Sequence, residues 1–140
     1  MPGLQHVATI AAPPERVWDV VADIERWPER IPTVDEVERL DAGPLAVGSR
    51  TRLRQPRLPE AVWTVTELTD GRSYTWESKS RGVTVVAAHL VEPHPEGSRL
   101  TLSLTVSGAM AGLGWLLTRK MTRQYVETEA ASIKKVAEAS

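Results

Sequence analysis

Two periods of apolar residues divide the chain. Val7 and Ile10 sit among small residues in a strand-like stretch, 4–12, which stops at Pro13-Pro14, where a strand cannot continue and a helix can begin. From Glu15 the apolar positions Val17, Val20, Val21, Ile24 and Trp27 recur at three- and four-residue steps. They share one helical face, and Arg16, Asp19, Asp23 and Arg26 take the other. This helix is expected to end by Trp27-Pro28, and a second short helix or turn, 29–32, leads to Val34.

Beyond Val34 the period becomes alternating. Turn residues cut the next stretch into strand-sized pieces at 34–40, 50–55, 62–68, 73–80, 83–92 and 98–107. Asp70-Gly71 between two alternating runs is a strong hairpin signal, and Arg81-Gly82 and 93–97 make the next two turns. The pieces 34–40 and 50–55 read as edge or outer strands.

Alternation also assigns faces, since successive side chains of a strand point to opposite sides. Trp63, Val65 and Glu67 are expected inside, with Thr64 and Thr66 outside. Tyr74, Trp76 and Ser78 form the next inward set, followed by Val83, Val85, Ala87, His89 and Val91. On the last strand Leu100, Leu102, Leu104 and Val106 oppose Arg99, Thr101, Ser103 and Thr105. A sheet that is apolar on one side needs a cover. Residues 111–137 offer one, a helix of about 40 Å with Leu113, Leu116, Leu117, Met121, Val126, Ala130 and Ile133 expected on its covering face. The pattern predicts an α+β domain in which a curved antiparallel sheet grips a long C-terminal helix around an apolar cavity, with two short helices after the first strand.

The segment from Pro14-Glu15-Arg16-Val17-Trp18-Asp19 to Ile24-Glu25-Arg26-Trp27-Pro28 resembles the opening signature of the START-like superfamily, also called SRPBCC or helix-grip, as written in its polyketide cyclase/dehydrase branch. Val91-Glu92-Pro93 with Gly97-Ser98-Arg99-Leu100, and the closing Ile133-Lys134-Lys135, are similar to that branch too. The resemblance implies a seven-stranded sheet and a hydrophobic cavity between sheet and long helix, which relatives use for lipids, sterols, polyketides or hormones. Enzymes of the branch carry a basic residue in the strand that here reads Trp63 to Thr69, and this chain has none there.

A length of 140 residues suits one domain, so 1–140 is read as a single unit. The formal net charge of -1 gives no broad attraction to nucleic acid. With no cysteine there is no disulfide or thiolate metal site. No secretory leader is visible, and 109–117, the nearest approach to a membrane span, is far too short and holds two glycines. A cytoplasmic protein without stable membrane insertion, monomeric or homodimeric, is the expectation. His6, His89 and His94 have no second ligand at metal-site spacing, so neither metal nor cofactor is expected. Gly108, Gly112 and Gly114 lack dinucleotide-loop spacing, and no G-x-S-x-G or Walker motif occurs.

Candidate ligand contacts are the rings Trp27, Trp63, Tyr74 and Trp76, the aliphatic Val65, Val85, Ala87 and Leu102, the polar His89, and Leu117 and Met121 from the helix. Each ring can equally be core filling. Glu67 is the first catalytic candidate, because an inward carboxylate has to be paired, wetted or protonated. It could serve as general acid or base on an enolisable ketone or hydroxyl leaving group, with His89 and Tyr74 as the other candidates. Arg50, Arg52, Arg54 and Arg57 form a positive stripe, either an anion or acidic-partner site or a solvated face that protects an edge strand. The leading function is therefore binding of a hydrophobic small molecule, such as a lipid, polyketide or aromatic compound. A polyketide aromatase/cyclase or dehydratase is the alternative, and a protein-interaction module using the arginine stripe or 109–117 is the third.

Overall fold

Turn chemistry and alternation build the sheet. A computed structural model describes residues 2–139. Its strands are β1 (Gly3–Ile10), β2 (Glu36–Arg39), β3 (Arg50–Arg54), β4 (Ala61–Thr69), β5 (Ser73–Ser80), β6 (Val83–His94) and β7 (Gly97–Ser107). They form one curved antiparallel sheet in the order β1-β7-β6-β5-β4-β3-β2. Two helices, α1 (Pro14–Ala22) and α2 (Trp27–Arg30), lie between β1 and β2, and α3 (Ala111–Glu138) closes the chain. This is the α+β helix-grip arrangement.

Helix α1 starts at Pro14 after an extended Pro13 and buries Val17, Trp18, Val20 and Val21. The pattern predicts one helix as far as Trp27, but the backbone leaves the helical region at Asp23 (φ −85°, ψ 67°) and continues as a 3-10 turn, Ile24–Arg26. The Asp23 carboxylate sits 3.5 Å from Arg26 Nε and 3.7 Å from Arg30 Nη1 across this break. Ile24 and Trp27 both still reach the core.

Of the two pieces expected as edge or outer strands, β2 is the edge and β3 lies one strand in from it. Glu36 pairs with Arg54 and Glu38 with Arg52 across the two strands. Arg52 lies 2.5 Å from Glu38 and 3.0 Å from Glu60, and Arg50 donates its backbone N–H and its guanidinium to Asp41. These hydrogen bonds hold the Asp41 carboxyl below its usual range. The arginine stripe is thus a ladder of exposed cross-strand ion pairs.

In β4 a bulge changes the parity. Val65 faces Trp76 and Glu67 faces Thr75, so β4 spends two residues where β5 spends one. From Thr66 onward the faces exchange, which buries part of Leu68 and turns Glu67 out to solvent.

Helix α3 also differs from its predicted phase. Leu113, Leu116 and Leu117 are 53%, 62% and 74% exposed, while Ala130, Ile133 and Ala137 are buried. At about 100° per residue, Leu113 and Leu117 lie roughly opposite Ile133, whereas Trp115 falls on the Ile133 meridian. The C-terminal half packs on β1 and α1 through small residues. Its end is pinned: Glu138 accepts the Ala11 N–H at 2.8 Å, and Lys134 Nζ donates to the Thr9 carbonyl at 2.9 Å. The Ala11 hydrogen bond, with Lys134, holds the Glu138 carboxyl below its usual range.

The β6–β7 turn is locked against the same corner. Ser98, fully buried, donates to the Ala12 carbonyl at 2.6 Å. Gly97 has φ +134°, and a Cβ there would stand 2.5 Å from the Ile10 carbonyl oxygen and 2.8 Å from the Ala12 nitrogen. Gly97→Ala should therefore lower unfolding free energy by about 2 kcal/mol or more. Gly112→Ala, in a helix where a Cβ meets nothing within 4 Å, should leave it unchanged or raise it by up to about 1 kcal/mol. Urea denaturation of the two variants checks the contrast.

Candidate functional site

Between Gly114 and Glu129, α3 and the sheet enclose a cavity of 360 Å³. Its walls are indole and phenol rings: Trp27 from α2, Trp63 from β4, Trp76 from β5, and Trp115 and Tyr125 from α3. Val83, Val85 and Ala87 of β6 and Leu102, Leu104 and Val106 of β7 form the aliphatic floor. The Tyr125 hydroxyl donates to the Pro56 carbonyl, which ties α3 to the β3–β4 loop, and Gln55, Leu58 and Pro59 of that loop line the cavity too. A larger cleft of 470 Å³ lies at the arginine ladder, but its walls are the already paired Glu36, Glu38, Arg52, Arg54 and Glu60.

The rings support one another. Trp76 meets Trp27 edge-to-face at 5.6 Å, Trp63 tilted at 5.5 Å, and Tyr74 edge-to-face at 5.6 Å. Tyr74 in turn stacks flat under His89, with centroids 4.1 Å apart and planes 15° apart. Such packing fixes each ring plane and contributes about 0.5–1.5 kcal/mol per pair beyond burial.

Gln55, Ser80, Arg81, Ser103, Thr118 and Thr122 also line the cavity, and His89 and Glu129 form an ion-pair-range contact within it. His89 is 4% exposed; its Nδ1 lies 3.2 Å from the Tyr74 carbonyl, to which it can only donate. That bond places the exchangeable site at Nε2, which faces Glu129 Oε2 of α3 at 3.6 Å, within ion-pair range though longer than a hydrogen bond. Both side chains line the cavity. A group bound there can exchange a proton with Nε2 or donate a hydroxyl to the carboxylate. Tyr74 cannot join this chemistry: its O–H donates to the Val21 carbonyl at 3.0 Å. Burial, and secondarily the Glu129 charge, push its ionisation well above the usual phenol range.

Of the residues expected at the site, Trp27, Trp63, Trp76, Val85, Ala87, His89 and Leu102 line the cavity. Val65 and Tyr74 are buried behind that wall in the core. Leu117 points to solvent and Met121, half-buried, lies off the cavity, both because of the helix phase. Glu67 is on the outer face because of the bulge at Thr66. Sequence reasoning missed Trp115, Tyr125 and Glu129. The signal available was their spacing: with Thr118, Thr122 and Ile133 they trace one continuous helical stripe, more polar than the leucine set.

Comparison with known proteins agrees with this architecture. Residues 1–138 match a family model described as polyketide cyclase / dehydrase and lipid transport. A Streptomyces halstedii protein named a putative polyketide cyclase is 33% identical over 94 residues, which cover 65% of this chain and 75% of that protein. The protein TTHA0849 from Thermus thermophilus superposes with a TM-score of 0.78 at 22% identity, over 99% of this chain and 98% of that one. The Zhui aromatase/cyclase from Streptomyces sp. R1128 gives 0.76 at 20% identity, over 98% and 93%. At such identities the two superpositions show the fold alone.

Tyr74→Phe keeps the ring under His89 and strands the Val21 carbonyl, so it should cost about 1–2 kcal/mol in thermal or urea unfolding. Glu67→Gln, on the solvated face, should change stability by less than about 0.5 kcal/mol. Equal losses in both variants would contradict the assigned faces.

Proposed function

The chain belongs to the polyketide cyclase/dehydrase and lipid transport family, and from that premise we propose that it binds a planar, mostly apolar small molecule between α3 and the sheet. The observation that carries this reading is the cavity of 360 Å³ walled by four tryptophans and Tyr125 with the facing pair His89 and Glu129. Flat rings at fixed angles favour a flat ligand, while a flexible saturated chain gains less from them. The volume lies at the lower end of small-ligand pockets, which span about 300–1,000 Å³. A hydroxyl or carbonyl on the ligand would be oriented by Glu129 or by His89 Nε2.

The same pair supports a second reading, catalysis of a dehydrative cyclisation. Such a reaction removes a proton from the carbon beside one carbonyl, forms a carbon–carbon bond at another and protonates the resulting alkoxide. Removal of a second proton from the same carbon, with protonation of the new hydroxyl, then expels water and leaves a carbon–carbon double bond. His89 Nε2, held in orientation by the Tyr74 carbonyl, is the group suited to these transfers, with Glu129 stabilising its charged form. On this reading His89→Ala abolishes turnover of a poly-β-ketone thioester, while ring binding survives.

Tryptophan-fluorescence titration tests the binding reading. A dihydroxyanthraquinone should quench emission saturably and bind more tightly than palmitate. Trp76→Ala should weaken it about tenfold or more, and Ala87→Trp, whose ring would occupy the cavity, should abolish it. Absence of saturable quenching by either compound, or unchanged binding to Ala87→Trp, would refute the proposal.

A further inference from the structure

We propose that the outer face of the first turns of α3, together with the β5–β6 turn, docks onto an anionic membrane surface. Met110, Leu113, Leu116 and Leu117 are 47%, 53%, 62% and 74% exposed and adjoin one another on that face. The Met110 N–H donates to the Gly82 carbonyl at 3.0 Å, which brings the β5–β6 turn and its Arg81 to the same end of the molecule. An apolar patch of this kind on an otherwise polar surface marks an interaction site.

Charge identifies the partner. Arg81, Arg119, Lys120 and Arg123 are all exposed around the leucines, and none makes an ion pair or side-chain hydrogen bond among the described residues. Arg50, Arg52, Arg54 and Arg99 elsewhere on the surface all face carboxylates. From Met110 to Gln124 the chain has no acidic residue at all, although its formal net charge is -1. The nearby Glu77 is engaged by Lys79 at 3.6 Å, and Glu127 lies a turn beyond Arg123. Exposed leucines bordered by unpaired cations are the composition of an interfacial helix, which sinks its apolar side chains among acyl chains and sets its cations at the phosphates.

A second copy fits this face less well. A two-fold contact would bring two sets of four unpaired cations together, over an apolar area small against the 1,200 Å² or so that a stable interface buries. No helix among the described residues is long and apolar enough to cross a membrane, so the contact is peripheral. The opposite side of the same turns, Gly114, Trp115 and Thr118, lines the cavity. Docking would therefore act on the back of the cavity wall.

Co-flotation with vesicles tests the proposal on the 140-residue chain without added ligand, so its outcome is independent of ligand binding. Protein should float with phosphatidylcholine vesicles containing one-third phosphatidylglycerol, stay behind with pure phosphatidylcholine, and be released by raised salt. Leu116→Glu with Leu117→Glu should lower partitioning about tenfold or more. Arg119→Glu with Lys120→Glu should lower it by a similar factor. Both pairs should leave the circular-dichroism melting curve in place, because the substituted side chains are exposed. No partitioning into the anionic vesicles at low salt, or a leucine variant that partitions like the parent, overturns the proposal. So does absence of vesicle binding combined with a dimer dissolved by Leu117→Glu, which assigns the face to a second copy, or with salt-sensitive binding to polyglutamate, which assigns it to an acidic protein.

Discussion

Helix α3 packs closely against the rest of the core near its C-terminal end, and the cavity depends on that asymmetry. Ala130, Ile133 and Ala137 bring the C-terminal half close to β1 and α1, and Lys134 and Glu138 fasten its end to Thr9 and Ala11. Small residues at a contact let backbones approach; large ones hold them apart. The stretch from Gly114 to Glu129 presents Trp115 and Tyr125 instead, and the cavity lies between it and the sheet. A helix of 28 residues, closely packed toward its C-terminal end and tethered through Tyr125 and Met110 elsewhere, thus roofs a space that the core does not fill.

The wall of that space combines rigid rings with a few polar points, of which His89 and Glu129 face each other. Trp27, Trp63, Trp76 and Tyr74 brace one another at centroid separations of 5.5 to 5.6 Å, so no ring can turn without displacing its neighbours. His89 lies flat on Tyr74 and is tethered through Nδ1, which leaves Nε2 as its reacting or recognising atom. Glu129 comes from the helix opposite, so the pair forms only when α3 is seated. Grip, ring wall and polar pair therefore stand or fall together.

Strand order, hairpin turns and the inward sets of β5, β6 and β7 were legible because alternation and turn residues are local signals. Two features were not. The bulge at Thr66 is marked only by a break in alternation, Thr66 and Glu67 being consecutive polar residues before Leu68, and reading the strand as one unbroken alternation puts inside a Glu67 that lies outside. In α3 the strongest apolar cluster, Leu113 with Leu116 and Leu117, faces solvent, whereas the covering stripe carries threonines and Glu129. The rule that the most apolar face is buried fails where a helix roofs a polar-pointed cavity on one side and keeps leucines exposed on the other. His89 was identifiable as inward-facing, but its partner Glu129 lies 40 residues along, and only the fold brings the two together.

The arginines divide in the same way between structure and use. Those of β3 are consumed by Glu36, Glu38, Asp41 and Glu60 and stabilise the outer sheet, while those around the α3 leucines remain unpaired. The central claim remains the cavity as a container for a flat apolar molecule. Native mass spectrometry of the protein purified without denaturation from its own host tests it most directly. The account predicts a retained aromatic compound, released by organic solvent and missing from the cavity-filled Ala87→Trp chain. A protein that shows only the mass of its bare chain in every preparation would contradict it.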